Sequence, residues 1–249
     1  MITLEQSWPD PPLNHALAAD EVHVWRIALN RQIEDVQRLQ NLLASEEISR
    51  ADHFRFEKDR QRFVVARGLL RVILGRYLYL KPSQLRFVYS DYGKPALAPA
   101  PATRGLSFNL SHAQELALVA ITRGRQLGID LEHIRPIPEV EQIAERIFSA
   151  QEKEMLRTLP GTEKLRVFFR YWTCKEAYIK ARGEGLSLPL DQFQIVPISD
   201  DATPLLSVKG DPQEASRWSL RELIPAPGYA AALAVEGKGW RLAQWHYSD

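Results

Sequence analysis

Apolar residues recur along this chain with two periods, one typical of helices and one typical of strands. In the first half, the strongest helical signal covers 60–79, where Phe63, Ala66, Leu70, Ile73, Leu74 and Tyr77 fall on one face. Shorter signals surround this helix. They predict a strand at 22–29, helices at 31–43 and from Ser45, and strands at 85–89, 107–110, 116–121 and 127–134.

The second half repeats this plan after a connection that contains Pro136 and Pro138. The spacing predicts helices at 140–147, 149–158 and 165–181, and strands at 193–198, 218–223, 230–235 and 241–245. A long helix with strands around it in each half predicts an α+β fold of two pseudo-symmetric halves, 1–135 and 136–249. A cleft between two such halves is the expected ligand site.

Composition and charge narrow the function classes. Hydrophobic residues make up 45% and charged residues 25%, and the formal net charge of +1 argues against a general nucleic-acid binder. The single cysteine, Cys174, excludes an intramolecular disulfide and a cysteine-based zinc site. The sequence shows no signal-peptide pattern and no apolar run long enough to cross a bilayer. We therefore expect a cytoplasmic protein without a membrane or nucleic-acid partner.

Two carboxylates alternate with apolar residues in the segment Gly128-Ile129-Asp130-Leu131-Glu132. In a strand, Asp130 and Glu132 project to the same side, roughly 7 Å apart at the backbone. Like charges so placed repel each other unless a cation lies between them, and oxygen ligands suit magnesium. The alternative is a solvated strand face.

A third carboxylate, Glu176, lies in the long helix predicted at 165–181. It is opposite an apolar stripe made of Val167, Tyr171, Cys174, Tyr178 and Ala181. The simple alternative is an exposed ion pair of Glu176 with Lys180 one turn later. However, the second side of the helix also carries apolar residues that need cover, namely Phe169, Trp172 and Ile179. Glu176 is therefore expected in a cleft, where a buried carboxylate needs a partner such as a metal ion.

Three further features carry positive charge or donors. Ser111 and His112 are adjacent in FNLSHA, but neighbours in a strand face opposite sides and no G-x-S-x-G turn is present, so we reject a serine nucleophile. Lys94 lies in the turn YGKPAL, where the alternative is an ordinary surface lysine. A basic cluster fits a polyphosphate ligand better than a nucleic acid, although such runs are often only solvated. Its members are Arg50, Arg55, Lys58, Arg60 and Arg62.

Four segments in this order resemble the Sfp-type 4′-phosphopantetheinyl transferases: YGKPAL, FNLSHA, LGIDLE and FFRYWTCKEAYIKARGEGLSLPL. The resemblance extends from about Ser45 to Ala234. It implies a monomer of two pseudo-symmetric α+β halves with coenzyme A bound between them. It also implies a magnesium-dependent enzyme that transfers 4′-phosphopantetheine to a serine of an apo acyl, peptidyl or aryl carrier protein and releases 3′,5′-ADP.

The resemblance also implies roles for individual residues. Asp130, Glu132 and Glu176 match the magnesium ligands. Lys94, Ser111 and His112 match contacts to coenzyme A, and Arg50 matches a basic residue on its 3′-phosphate. Glu47 stands where some members have a second lysine for that phosphate, which leaves Arg55 or Arg62 as substitutes. Lys180 matches the lysine near the reacting phosphate.

The base that accepts the proton of the carrier serine is less defined. Glu176 is the first candidate, directly or through a metal-bound water, and Lys180 is the second. Two other function classes fit the sequence less well. A nucleotide phosphotransferase should carry a loop such as G-x-x-x-x-G-K-[ST], which is absent from the sequence. A non-catalytic module that binds coenzyme A or carrier proteins would not need the complete carboxylate set.

Overall fold

The computed structural model describes residues 7–12, 16–183, 185, 188–196, 205–208 and 210–248. In chain order the elements are β1 (Glu21–Ala28), α1 (Ile33–Gln40), α2 (Ser45–Asp52), α3 (Glu57–Leu78), β2 (Phe87–Tyr89), β3 (Pro95–Leu97), β4 (Leu106–Ala113), β5 (Leu116–Arg123), β6 (Leu127–His133), α4 (Val140–Ile147), α5 (Ala150–Thr158), α6 (Gly161–Arg182), β7 (Phe193–Val196), β8 (Leu205–Val208), α7 (Pro212–Arg217), β9 (Trp218–Leu223), β10 (Tyr229–Glu236) and β11 (Arg241–His246).

The strands form two main sheets and two hairpins. The first sheet has the order β11-β1-β5-β4, and in it the last strand of the chain runs parallel to the first. The second sheet has the antiparallel order β6-β10-β9, and the hairpins are β2-β3 and β7-β8. Sheet membership therefore differs from a simple division at residue 135, because β6 pairs with the second half and β11 with the first.

The two main sheets pack face to face, and one long helix covers the outer face of each. Strand β1 shows the alternation: Trp25 and Ile27 join the core under α3, whereas Val22 and Val24 join a core between the sheets. Helix α6 packs on the outer face of the second sheet. Both faces of the central strands are buried, which confirms the α+β fold of two halves.

Most predicted elements are confirmed, and the differences have local causes. Helix α4 and strand β9 have the predicted bounds, and both long helices begin a few residues earlier than predicted. The missed elements are the short ones, β3, β8 and α7. Helix α7 did carry a signal, since Asp211 caps its start and Pro212 follows at the first helical position. Of the strand predicted at 193–198, residues 197 and 198 lie outside the described residues.

Among the helices that the structure describes, none is both long enough and apolar enough to cross a membrane.

Candidate active site

Strand β6 and helix α6 carry the three predicted carboxylates, and their backbones meet at Gly128. A Cβ atom at this position would lie 2.2 Å from the carbonyl oxygen of Ala177 and 2.3 Å from the nitrogen of Ala181. Only glycine permits so close an approach. The approach brings Asp130, two residues further along β6, against the Lys180 side chain of α6.

Asp130 is the centre of the site. Its side chain is nearly buried, with 4% of the residue exposed. Its Oδ1 accepts hydrogen bonds from Lys180 Nζ at 2.6 Å and from Ser111 Oγ at 3.0 Å. Its Oδ2 is buried and has no hydrogen-bond partner. A buried carboxylate oxygen without a partner is costly, so this atom marks a place for a cation or a donor.

Glu132 and Glu176 lie half-buried beside Asp130. The pKa of Glu176 is raised above its usual value by removal from water and by the negative charges of Asp130 and Glu132. The pKa of Glu132 is raised by removal from water and by the charge of Asp130. Arg135, whose Nη1 lies 3.4 Å from Glu132 Oε2, partly opposes this rise. The three carboxyl groups are therefore close enough to repel one another.

Carboxylate oxygens are suitable ligands for a hard cation, but these three groups do not converge on one point. Within the described part of the chain, no three acidic, histidine or cysteine side chains converge closely enough to hold a metal ion. Glu132 faces Arg135, and one oxygen of Asp130 is bound to Lys180. The free Oδ2 of Asp130 and the two carboxyl groups with raised pKa values fit magnesium, which prefers oxygen ligands.

Ser111 and Asn109 join the two sheets at this point. Strands β4 and β6 are edge strands of different sheets. The backbone nitrogen of Ile129 donates to Asn109 Oδ1 at 2.8 Å, and that of Leu131 donates to Ser111 Oγ at 3.2 Å. The side chains of Asn109 and Ser111 thus form the hydrogen bonds that backbone groups form between paired strands. Asn109 was missed by the sequence analysis, although its spacing of two from Ser111 places both on one strand face.

His112 lies beside several cations at the end of β4. Its ring is exposed, and its pKa is lowered by partial removal from water and then by the charges of Lys180, Arg62 and Arg50. The Nε atom of Arg62 is buried without a hydrogen-bond partner. Arg55 instead lies over the ring of Phe56, at 5.4 Å from its centroid. Of the two substitutes proposed from the sequence, Arg62 is the one placed near His112.

Lys94 reaches from the first half of the protein to the backbone of the second. Its ammonium group donates to the carbonyl oxygens of Leu127, Lys180 and Ala181. Removal from water lowers the pKa of Lys94 to about 8. In this state the ammonium group holds protein backbone, not a phosphate.

Glu47 is buried inside the first half. Its carboxylate forms ion pairs with Arg67 at 2.7 Å and Arg71 at 2.6 Å, and its Oε2 accepts from the nitrogen of Ala44 at 3.0 Å. The carboxylate therefore fixes α2, which carries Arg50, against α3. At this position the chain has a structural anion where some relatives have a lysine.

We expect Glu47→Lys to destabilise the fold by about 3–5 kcal/mol, because three buried cations would then lack a counterion. A denaturant melt measures this loss. Glu46→Lys is the matched control, since Glu46 is the exposed neighbour in the same helix turn and should change stability little. A Glu47→Lys variant with wild-type stability and tighter coenzyme A binding would show that this position faces the ligand.

Comparisons with known proteins agree with this geometry. Residues 126–234 match the model of the 4′-phosphopantetheinyl transferase superfamily, and residues 30–123 match the model of the 4′-phosphopantetheinyl transferase N-terminal domain. The border between the two matches falls at the turn between β5 and β6, where the chain passes from the first sheet to the second.

Individual proteins show how far the similarity extends. The chain is 46% identical to 4′-phosphopantetheinyl transferase HetI of Nostoc sp. (strain PCC 7120) over 98% of this chain and 100% of that protein. It is 31% identical to 4′-phosphopantetheinyl transferase Sfp of Bacillus subtilis (strain 168) over 69% of this chain and 75% of that protein. A holo-(acyl-carrier-protein) synthase structure from Bacillus anthracis aligns with 45% of this chain and 96% of that chain, at 22% identity and a TM-score of 0.38.

The two family matches and the full-length similarity define the class of protein. The chain belongs to the 4′-phosphopantetheinyl transferase family. It is an enzyme that transfers phosphopantetheine from coenzyme A to carrier proteins.

Proposed function

We propose that the transfer depends on magnesium held by Asp130, Glu132 and Glu176. The observation that carries this proposal is the buried, unpartnered Oδ2 of Asp130 beside two carboxyl groups whose pKa values are raised by removal from water and by the negative charge of Asp130. When bound, the ion would supply positive charge for the pyrophosphate of coenzyme A. The remaining steps fall to the side chains of this chain.

The cations around His112 provide the binding site for the phosphates. His112, Arg50 and Arg62 would bind the 3′-phosphate, because Arg50 and Arg62 act on His112 and the Nε of Arg62 lacks a partner. Lys180 would donate to the phosphate that is transferred, since its Nζ already lies between Ser111 and Asp130. Ser111 holds Asp130 in place and completes the coenzyme site.

Glu176 is the better of the two candidate bases. Its raised pKa brings the carboxylate closer to the operating pH, which favours proton acceptance from the carrier serine. Lys180 is bound to Asp130 as an ammonium group, and in that form it stabilises charge but accepts no proton. Phosphoryl transfer otherwise depends on positioning and electrostatics, so no protein nucleophile is required.

We also propose that the enzyme works as a cytoplasmic monomer on an apo acyl or peptidyl carrier protein. The support for a monomer is that β4, β6 and α6 of a single chain bring Ser111, Asp130 and Lys180 into hydrogen-bond contact. Sedimentation at working concentrations tests the monomer, and a stable dimer would contradict it.

A transfer assay tests the magnesium requirement. The enzyme is incubated with labelled coenzyme A and an apo carrier protein, with magnesium or with EDTA. A carrier whose acceptor serine is replaced by alanine is the control. We expect label on the wild-type carrier only, loss of transfer in EDTA and recovery when magnesium is restored. Full transfer in EDTA by a metal-free preparation would contradict the proposal.

We expect His112→Ala to weaken coenzyme A binding about 10- to 100-fold, because one charge-assisted hydrogen bond is worth roughly 1.5–3 kcal/mol. Calorimetric titration measures the dissociation constant. Dephospho-coenzyme A, which lacks the 3′-phosphate, should bind the variant and the wild type equally. His53→Ala is the matched control, since His53 is exposed and its ring bonds to the local backbone at Ser49. Equal loss with both ligands would assign His112 to another part of the coenzyme.

A further inference from the structure

A tight turn presents Lys94 from the first half of the protein to the second. The turn joins β2 to β3, and the Ser90 nitrogen donates to the Lys94 oxygen at 3.0 Å. The Lys94 nitrogen donates in return to Ser90 Oγ at 3.2 Å. Gly93 has a φ of +78°, which the turn requires and glycine adopts without strain. The backbone of Lys94 is therefore fixed before its side chain reaches across.

The ammonium group of Lys94 is fully used by backbone acceptors. Its Nζ lies 3.1 Å from the carbonyl oxygen of Leu127 and 3.4 Å from that of Ala181, and it also donates to the carbonyl oxygen of Lys180. An ammonium group has three hydrogens, and the structure provides three backbone acceptors for them.

Two of these acceptors, Lys180 and Ala181, lie at the C-terminal end of α6. The last carbonyl groups of a helix lack intrahelical donors and carry its partial negative charge. Gly183 ends α6 with a φ of +74°, and its nitrogen donates to Ile179 at 3.0 Å. The carbonyl groups of Lys180 and Ala181 come next, and Lys94 is their donor.

The third acceptor, Leu127, is the first residue of β6. Lys94 thus links the start of β6 to the end of α6, beside the position where Gly128 lets the two backbones touch. The same two elements carry Asp130 and Lys180, whose side chains meet at 2.6 Å. A small slide of α6 along β6 would separate them.

A second contact from the same turn supports this link. The ring of Tyr92 packs against Gly185, where a Cβ atom would lie 2.7 Å from the ring. Gly185 follows the end of α6 by three residues. The turn at 90–94 therefore holds both the last helical turn and the chain that leaves it.

We propose that Lys94 is a positioning residue that fixes the end of α6 against β6, and thereby places Lys180 and Glu176 for the transfer. This inference rests on the roles proposed above for those two residues. It differs from the role that the family resemblance implies for Lys94, which is a contact to coenzyme A.

Lys94→Met tests the proposal, because methionine keeps the length of the side chain and removes all its donors. In the coenzyme-free and magnesium-free enzyme, we expect faster amide hydrogen exchange over 179–183. We also expect kcat to fall about 10- to 100-fold, as small displacements at a reacting centre do. The dissociation constant of coenzyme A should change less than about 3-fold. Lys94→Arg, which keeps donors and charge, should recover part of kcat.

Two results would overturn the proposal: unchanged exchange over 179–183, or a loss of coenzyme A affinity large enough to account for the whole loss of activity. Lys81→Met is the matched control at an exposed lysine. If Lys94→Met does not fold, amide hydrogen exchange over 179–183 in the wild type tests the proposal. A helix end held by Lys94 exchanges as slowly as the middle of α6, and a frayed end would refute the link. Because exchange is measured without coenzyme or metal, a failure of the magnesium proposal is separately visible.

Discussion

Gly128→Ala is expected to lose nearly all transferase activity and at least about 3 kcal/mol of stability. The added methyl group would lie 2.2 Å and 2.3 Å from backbone atoms of α6, at Ala177 and Ala181. Backbone atoms cannot rotate away as a flexible side chain does, so the whole helix has to shift. That shift separates Lys180 from Asp130. A urea melt and the transfer assay measure the two effects.

Gly161→Ala is the matched control for this prediction. Gly161 is the first residue of the same helix, and a Cβ atom there meets nothing within 4 Å. Alanine also has the higher helix propensity, so stability should stay the same or rise slightly. Wild-type melting and turnover in Gly128→Ala would show that the spacing of α6 and β6 is not what fixes the site.

Sequence patterns placed Asp130, Glu132 and Glu176 in their strand and helix, but they did not show which residues of other elements contact them. Asp130 and Glu132 were paired by the period of a strand, and Glu176 was placed in a cleft because its helix has apolar residues on two sides. Each of these arguments uses residues within one element. The structure adds the long-range part, in which Ser111 and Lys180 reach Asp130 from β4 and α6.

The environments of Glu47 and Lys94 depend on partners distant in the chain. Glu47 is held by Arg67 and Arg71, which lie 20 and 24 residues away. Lys94 reaches a carbonyl group 86 residues away. Local patterning showed an acidic residue in a helix and a lysine in a turn. It could not show which buried groups they satisfy, because those partners are brought together only when elements distant in the chain pack against each other.

The assignment of strands to the two sheets likewise depends on contacts between distant parts of the chain. Pro136 and Pro138 marked a connection by composition, and the boundary was placed beside them. Strand pairing follows a different rule, since β6 pairs with β10 and β11 pairs with β1. Hydrophobic period identifies a strand but not its neighbour. An edge strand buried on both sides, such as β6, gives no local signal of the sheet to which it belongs.

Glu176→Gln is expected to lower turnover about 10²- to 10⁴-fold while coenzyme A still binds, because glutamine keeps the size of the side chain but accepts no proton. The same change should raise stability at neutral pH. The pKa of Glu176 is raised in the folded protein, so its ionised form is disfavoured there. Stability from this group is fully present below the unfolded value of 4.5 and falls as pH rises through the folded pKa. Glutamine removes that loss, and the advantage of the variant over wild type should vanish as pH falls towards 4.5.

Magnesium separates the two roles of Glu176 in this variant. A cation among the three carboxylates relieves their repulsion, so magnesium should raise the melting temperature of the wild type more than that of Glu176→Gln. If saturating magnesium restores most of the turnover, Glu176 is chiefly a ligand and the base lies elsewhere. If turnover stays low at every magnesium concentration while coenzyme A binds normally, Glu176 is the base. Glu163→Gln, on the same helix but paired only with Arg166 at the surface, is the matched control and should behave as wild type. Unchanged turnover together with unchanged magnesium dependence in Glu176→Gln would remove this residue from the site, and with it the argument that three carboxylates share one cation.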